Sequence, residues 1–171
     1  MVTCTSITHT PSTMATVEIL QIIQEPIWII ECETPIPAGF PSPADDYRGP
    51  RVDLSALLLP HPDCTYMARV KGSSMDGAPS HIVDGALITV DCSIKPEPGH
   101  IVVAAIHGEF TVKRLEKRGS TFWLVPDNPA YQSTDISLLG DGFEVWGVVT
   151  HAVTEFINGK LKEHVRTRRL Q

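Results

Sequence analysis

From Tyr47 onward the chain breaks into short apolar runs: Tyr66–Val70, Ala86–Val90, Ile101–Ile106, Phe110–Leu115, Phe122–Val125 and Val145–Val149. Runs this short, rich in Val, Ile and Phe and bounded by turn residues, predict strands rather than helices. The punctuation between them is chemically specific. Asp84-Gly85, His107-Gly108, Gly119-Ser120 and Asp141-Gly142 supply residues that accept positive φ or favour tight reversals. They predict that Ile101–Leu115 is a hairpin closed at His107-Gly108. Asp53–Leu59 (DLSALLL) departs from the pattern and predicts a helix of about two turns with Asp53 as its N-cap. No internal repeat or heptad is present, so residues 47–153 read as one mainly β domain.

The flanks have a different texture. Residues 1–15 are rich in Ser and Thr without periodicity, as a flexible terminus is. The segment PIPAGFPSP places Pro35, Pro37, Pro41 and Pro43 close together, which excludes regular helix and central strand and leaves an extended course. Residues 1–46 therefore read as a flexible N-terminal arm. At the other end, residues 154–171 form a basic tail, and within Asn158–Gln171 the cations Lys160, Lys162, Arg166, Arg168 and Arg169 face only Glu163. Such a tail keeps a terminus solvated or meets an acidic partner.

Composition narrows the function classes. With 14 Lys+Arg against 20 Asp+Glu, the formal charge of −6 argues against a protein that binds bare nucleic-acid backbone, which needs clustered cations. Any link to DNA is expected to run through a partner. The apolar stretch Thr16–Cys32 is interrupted by Glu18, Glu25, Pro26 and Glu31, short of the ~20 apolar residues of a membrane span. The first 30 residues hold no Lys or Arg, so they lack the positive n-region of a secretory signal. A cytoplasmic location without membrane contact is expected. Cys4, Cys32, Cys64 and Cys92 form no C-x-x-C pair and no zinc spacing, and they read as thiols of a reducing compartment. No metal or cofactor is expected, because Walker A, G-x-G-x-x-G and H-E-x-x-H patterns are all missing.

Two residues carry candidate chemistry. Ser74, in Gly72-Ser73-Ser74-Met75, follows the strand-like run YMARV and precedes Asp76-Gly77, which places a hydroxyl on a tight turn at a strand end. By position alone such a serine is more often a plain turn residue, and the G-x-S-x-G elbow fails because Asp76 stands where the second glycine belongs. Lys113 lies in Glu109–Leu115, where period-2 alternation gives it the face of Thr111 and Leu115, opposite Phe110, Val112 and Arg114. A lysine desolvated on an apolar face loses basicity, and the neutral amine can take a proton from a serine. Taken singly, Lys113 also fits an edge-strand lysine with its head in water.

Taken in order, Ala38-Gly39-Phe40-Pro41-Ser42-Pro43-Ala44, Gly72-Ser73-Ser74-Met75, Asp84-Gly85 and Gly108-Glu109-Phe110-Thr111-Val112-Lys113 closely resemble the LexA/UmuD family of self-cleaving serine peptidases. The resemblance spans roughly Pro37 to Val153. It implies a mainly β, signal-peptidase-like catalytic domain of several short, strongly bent sheets with an extended N-terminal arm. It further implies that Ser74 is the nucleophile, Lys113 the general base and Ala38-Gly39 the bond cut in the chain itself. The product would hold 171 − 38 = 133 residues. The implied partners are a second copy in a homodimer, the RecA filament on single-stranded DNA that stimulates cutting in the SOS response, and a UmuC-like Y-family translesion polymerase. A LexA-like repressor is the weaker reading, since only 38 residues precede Gly39 and the first basic one is Arg48. A binding module that keeps the fold without cutting is the other alternative. The run MDGAPSHIV after Ser74 is about two residues longer than the family spacing and is expected to reshape the loop beside the nucleophile, where the Ser74 N–H is the expected oxyanion donor. The tail beyond Val153 is also longer than the family pattern.

Overall fold

The computed structural model describes residues 18–20, 26–30 and 50–156. The architecture is the mainly β one that the sequence predicts. Among the described residues ten strands run in chain order: β1 (Glu18–Leu20), β2 (Trp28–Ile30), β3 (Arg51–Asp53), β4 (Thr65–Arg69), β5 (Leu87–Asp91), β6 (Ile101–Ile106), β7 (Glu109–Arg118), β8 (Thr121–Val125), β9 (Thr134–Asp135) and β10 (Phe143–Val153). Eight of them form one antiparallel sheet in the order β1-β4-β5-β10-β6-β7-β8-β9, and β2 pairs with β3 in a separate ribbon. Among the described residues no helix is long and apolar enough to cross a membrane.

Local chemistry explains the elements. His107 (φ 49°) and Gly108 (φ 86°) both take positive φ, the requirement of a two-residue turn whose twist matches its strands, so β6 and β7 pair without slippage from Ile101↔Arg114 to Ile106↔Glu109. Asp53 caps the short helix α1 (Leu54–Leu58), its carboxylate accepting from the Ser55 N–H at 2.9 Å. The helix is shorter than expected because Leu59 already has non-helical angles. Two features escaped the pattern reading. The segment read as an arm contributes β1, which pairs with β4, and β2, which pairs with β3. Runs of three residues carry too little periodicity to register as strands.

Side chains alternate between two cores. Val103 and Val112 join Ala68, Met75, Ile82, Ile88 and Val90 on one side, whereas Val102, Ala104, Leu115, Leu124 and Val148 fill the other. Strand β6 is apolar throughout because it is covered on both faces. Strand β10 serves both cores by means of bulges. Its register slips between Val145 and Gly147 against β6, which moves Val148 onto the face already occupied by Phe143 and Val145. Trp146, at that slip, packs into the first core with its ring 5.1 Å from Tyr66 and 5.6 Å from Phe110.

Two buried carboxylates tie loops to this frame. Asp91, wholly buried, accepts from Ser93 N–H (2.8 Å) and Ser93 Oγ (2.6 Å) and lies 2.7 Å from His61 Nδ1. Asp127 takes a two-pronged contact from Arg114, through Nε at 2.8 Å and a terminal nitrogen at 2.7 Å, and accepts from the Ser80 N–H at 3.3 Å. Burial alone would raise both carboxyls. Hydrogen bonds from Ser93 and His61 for Asp91, and from Arg114 and Ser80 for Asp127, outweigh it and hold both below their usual range.

Leu124→Ala, which empties a fully buried position, is expected to lower unfolding stability by about 2–5 kcal/mol in urea titrations. Asp127 binds protons more weakly folded than unfolded, so its stabilisation is present above the ordinary carboxyl value of 3.8 and is lost as pH falls through its lower folded value. Asp127→Asn is therefore expected to be less stable than wild type at neutral pH, with the gap narrowing below about pH 4, as read by chemical unfolding across pH.

Candidate active site

The connection from β4 to β5 makes a long excursion whose base is closed by the Val70 N–H to the Ala86 carbonyl (2.9 Å) and the Gly85 N–H to the Val70 carbonyl (2.9 Å). Its first turn is set by Gly72, which has φ 94° and donates its N–H to Asp84 at 2.6 Å. Ser74 sits on the following turn. The next residue, Met75, is buried to 1% exposure in the first core and anchors the turn there. The extra length expected in MDGAPSHIV is folded back onto that anchor. Ser80 Oγ (3.1 Å) and the Ile82 N–H (3.0 Å) both donate to the Met75 carbonyl, and the Ile82 side chain is itself buried.

Lys113 comes from the middle of β7, on the face that alternation assigns to it. Its Nζ reaches Ser74 Oγ at 2.9 Å, Thr111 Oγ1 at 2.9 Å and the Val112 carbonyl at 2.9 Å. Burial pushes the Lys113 ammonium below its usual value, because charge is costly to keep away from water. Among the described residues no carboxylate forms an ion pair with it to offset that cost. Three partners also fit the neutral amine. Its lone pair can accept the Ser74 O–H while its two remaining hydrogens go to Thr111 Oγ1 and the Val112 carbonyl.

A second loop backs the serine turn. Asn128 donates its side-chain Nδ2 to the Ser73 carbonyl (2.8 Å) and its N–H to the Ser74 carbonyl (3.1 Å), and Tyr131 meets Ser73 Oγ at 2.9 Å. The two loops touch backbone to backbone at Gly77, where a Cβ would collide with the Asp127 carbonyl. Sequence reading did not single out Arg114, Asp127, Asn128 or Tyr131. The Asn128-Pro129 pair is a turn signal that could have marked the loop, but nothing local shows that the turn lies against Ser73.

The structure thus brings together Ser74 and Lys113, 39 residues apart in the chain. Ala38 and Gly39 lie outside the described residues, as do the four prolines around them and the basic side chains of the tail.

Comparison with known proteins places the chain in a family. The Peptidase S24-like family model matches residues 30–150. Protein MucA of Salmonella typhimurium is 44% identical over 120 residues, covering 70% of this chain and 80% of that protein. Protein SamA of the same species is 43% identical over 114 residues, with coverages of 67% and 76%. A LexA repressor from Acidithiobacillus ferrooxidans is 35% identical over 116 residues, 67% of this chain and 55% of the repressor. The chain belongs to the Peptidase S24-like family, the LexA/UmuD family that its motifs resemble.

Proposed function

We propose that the protein is a self-cleaving serine peptidase in which Ser74 attacks the chain's own Ala38-Gly39 bond with Lys113 as base. The observation that carries the reading is the 2.9 Å approach of a half-buried, charge-disfavoured Lys113 amine to the Ser74 hydroxyl. Neutral Lys113 takes the Ser74 proton as Oγ attacks the Ala38 carbonyl carbon. The Ser74 N–H is the expected donor to the oxygen that becomes negative. Lys113 then returns the proton to the Gly39 nitrogen as the C–N bond breaks, leaving an ester between Ala38 and Ser74. Water, deprotonated by Lys113, hydrolyses that ester and regenerates the serine. Because substrate and site share a chain, docking of the arm makes the attack effectively unimolecular, so modest activation of the serine suffices.

In this reading residues 1–46 are the arm that carries the bond, 47–153 the catalytic domain and 154–171 a basic tail for contact. The biological setting comes from the family resemblance. Cutting is stimulated by the RecA filament on single-stranded DNA in the SOS response, and the processed homodimer serves a UmuC-like translesion polymerase in the cytoplasm. The acidic balance of the chain, 14 Lys+Arg against 20 Asp+Glu, supports reaching DNA through such partners rather than directly.

Intact-mass analysis tests the chemistry. Wild type is expected to yield a fragment beginning at Gly39, and Ser74→Ala and Lys113→Ala none. Lys113→Arg is also expected to fail, since a guanidinium stays protonated. The sign of the pH dependence follows from the base. Lys113 must be neutral, so the rate should rise with pH and level off, with its inflection below the ordinary lysine value of 10.5. Undiminished cutting by either alanine variant, or a rate that falls as pH rises, would remove the proposal.

A further inference from the structure

The Ser74 N–H can serve an oxyanion only if its peptide plane is held at one angle, and the structure shows what holds it. We infer that Asn128 is the positioning residue that aims the Ser74 N–H, an inference that rests on the Ser74–Lys113 reading. In a trans peptide the C=O and N–H vectors are antiparallel, so fixing the Ser73 carbonyl fixes the direction of the Ser74 N–H. That carbonyl accepts from Asn128 Nδ2 at 2.8 Å and from the Asp76 N–H at 3.1 Å. The next plane is fixed from the same residue, because the Ser74 carbonyl accepts the Asn128 N–H at 3.1 Å. Both peptide planes that flank the Ser74 Cα are thus set by Asn128, and the Ser74 N–H is turned to the side opposite the Asn128 loop.

Asn128 is itself held in one orientation. Its Oδ1 accepts the Ala130 N–H at 3.0 Å, which assigns the amide and leaves the NH2 group for Ser73. Its carbonyl accepts the Tyr131 N–H at 3.1 Å. The preceding residue, Asp127, is buried and gripped by Arg114, the neighbour of Lys113 on β7. The strand that supplies the base therefore also anchors the loop that orients the serine backbone. Asn128 touches none of the reacting atoms, and its effect passes through the Ser73–Ser74 peptide.

Two substitutions test this. Asn128→Asp keeps the shape and the acceptor for Ala130 but sets a carboxylate oxygen against the Ser73 carbonyl, and the repulsion turns the plane. Asn128→Ala removes the donor to Ser73 together with the acceptor for Ala130. Rates of Gly39-fragment formation are measured from neutral to alkaline pH at a temperature where circular dichroism shows each variant folded. The plateau rate is expected to fall about 100-fold for Asn128→Asp and about tenfold for Asn128→Ala, as small misplacements of a catalytic group do. In Asn128→Ala, which adds no charge, the inflection pH, which reports Lys113, is expected to stay at the wild-type value. A general loosening of the site would move that inflection together with the plateau, and such a shift would overturn the inference. So would plateau rates within about twofold of wild type in both variants. Failure of the underlying reading looks different: wild type would form no fragment at any pH, or Ser74→Ala would still cut.

Discussion

Met75 and Val112 occupy the same hydrophobic core, and the geometry of the site depends on that shared burial. Each is the chain neighbour of one member of the hydrogen-bonded pair, Met75 of Ser74 and Val112 of Lys113. Core packing tolerates little displacement, so two side chains locked into one close-packed cluster hold their neighbours at a fixed separation. The cost of keeping a lysine partly from water is thereby met by the packing of that core rather than by a counter-charge. A salt bridge in that position would return the amine to its charged form and spoil it as a base.

That core is continuous only because β10 lies between β5 and β6. Ser74 is attached to the β4–β5 part of the sheet and Lys113 to the β6–β7 part, which follow one another in the chain without pairing directly. The N-terminal half of β10 pairs with β6 and its C-terminal half with β5, and each pairing contains one register slip. The slips bend the strand and let it feed side chains to both cores. Trp146, between Tyr66 and Phe110, locks the two parts together at that bend.

Much of this was legible in the sequence because the information was local. The His107-Gly108 turn fixes the β6–β7 hairpin through its own torsional demands, and period 2 then places Lys113 beside Thr111. The Asp53 cap is likewise a matter of adjacent residues. What could not be read is the arrangement of distant segments. No pattern in Phe143–Val153 announces that it divides the sheet, and nothing near Asn128 shows that its side chain meets Ser73. The pairing of Ser74 with Lys113 entered through resemblance, since each taken alone also fits an ordinary turn or edge position. The three-residue strands β1 and β2 are defined by the edges they join rather than by their own composition.

Those two strands give the chain between them and the domain a particular topology. The backbone leaves β2 at Ile30 and enters β3 at Arg51, and these two residues are partners in the ribbon. While the intervening segment is continuous, β1 and β2 are tethered, and their effective concentration at β4 and β3 is high. A break anywhere in that segment turns the same contacts into an association between two molecules, which among the described residues comprises two strands of three residues each and the Ile27 hydrogen bonds to Asp53 and Leu54. Loss of β1 would leave the edge of β4 open to a new strand. Covalent continuity therefore acts here as a latch on a sheet edge, and hydrolysis of one peptide bond changes which surfaces the molecule can offer.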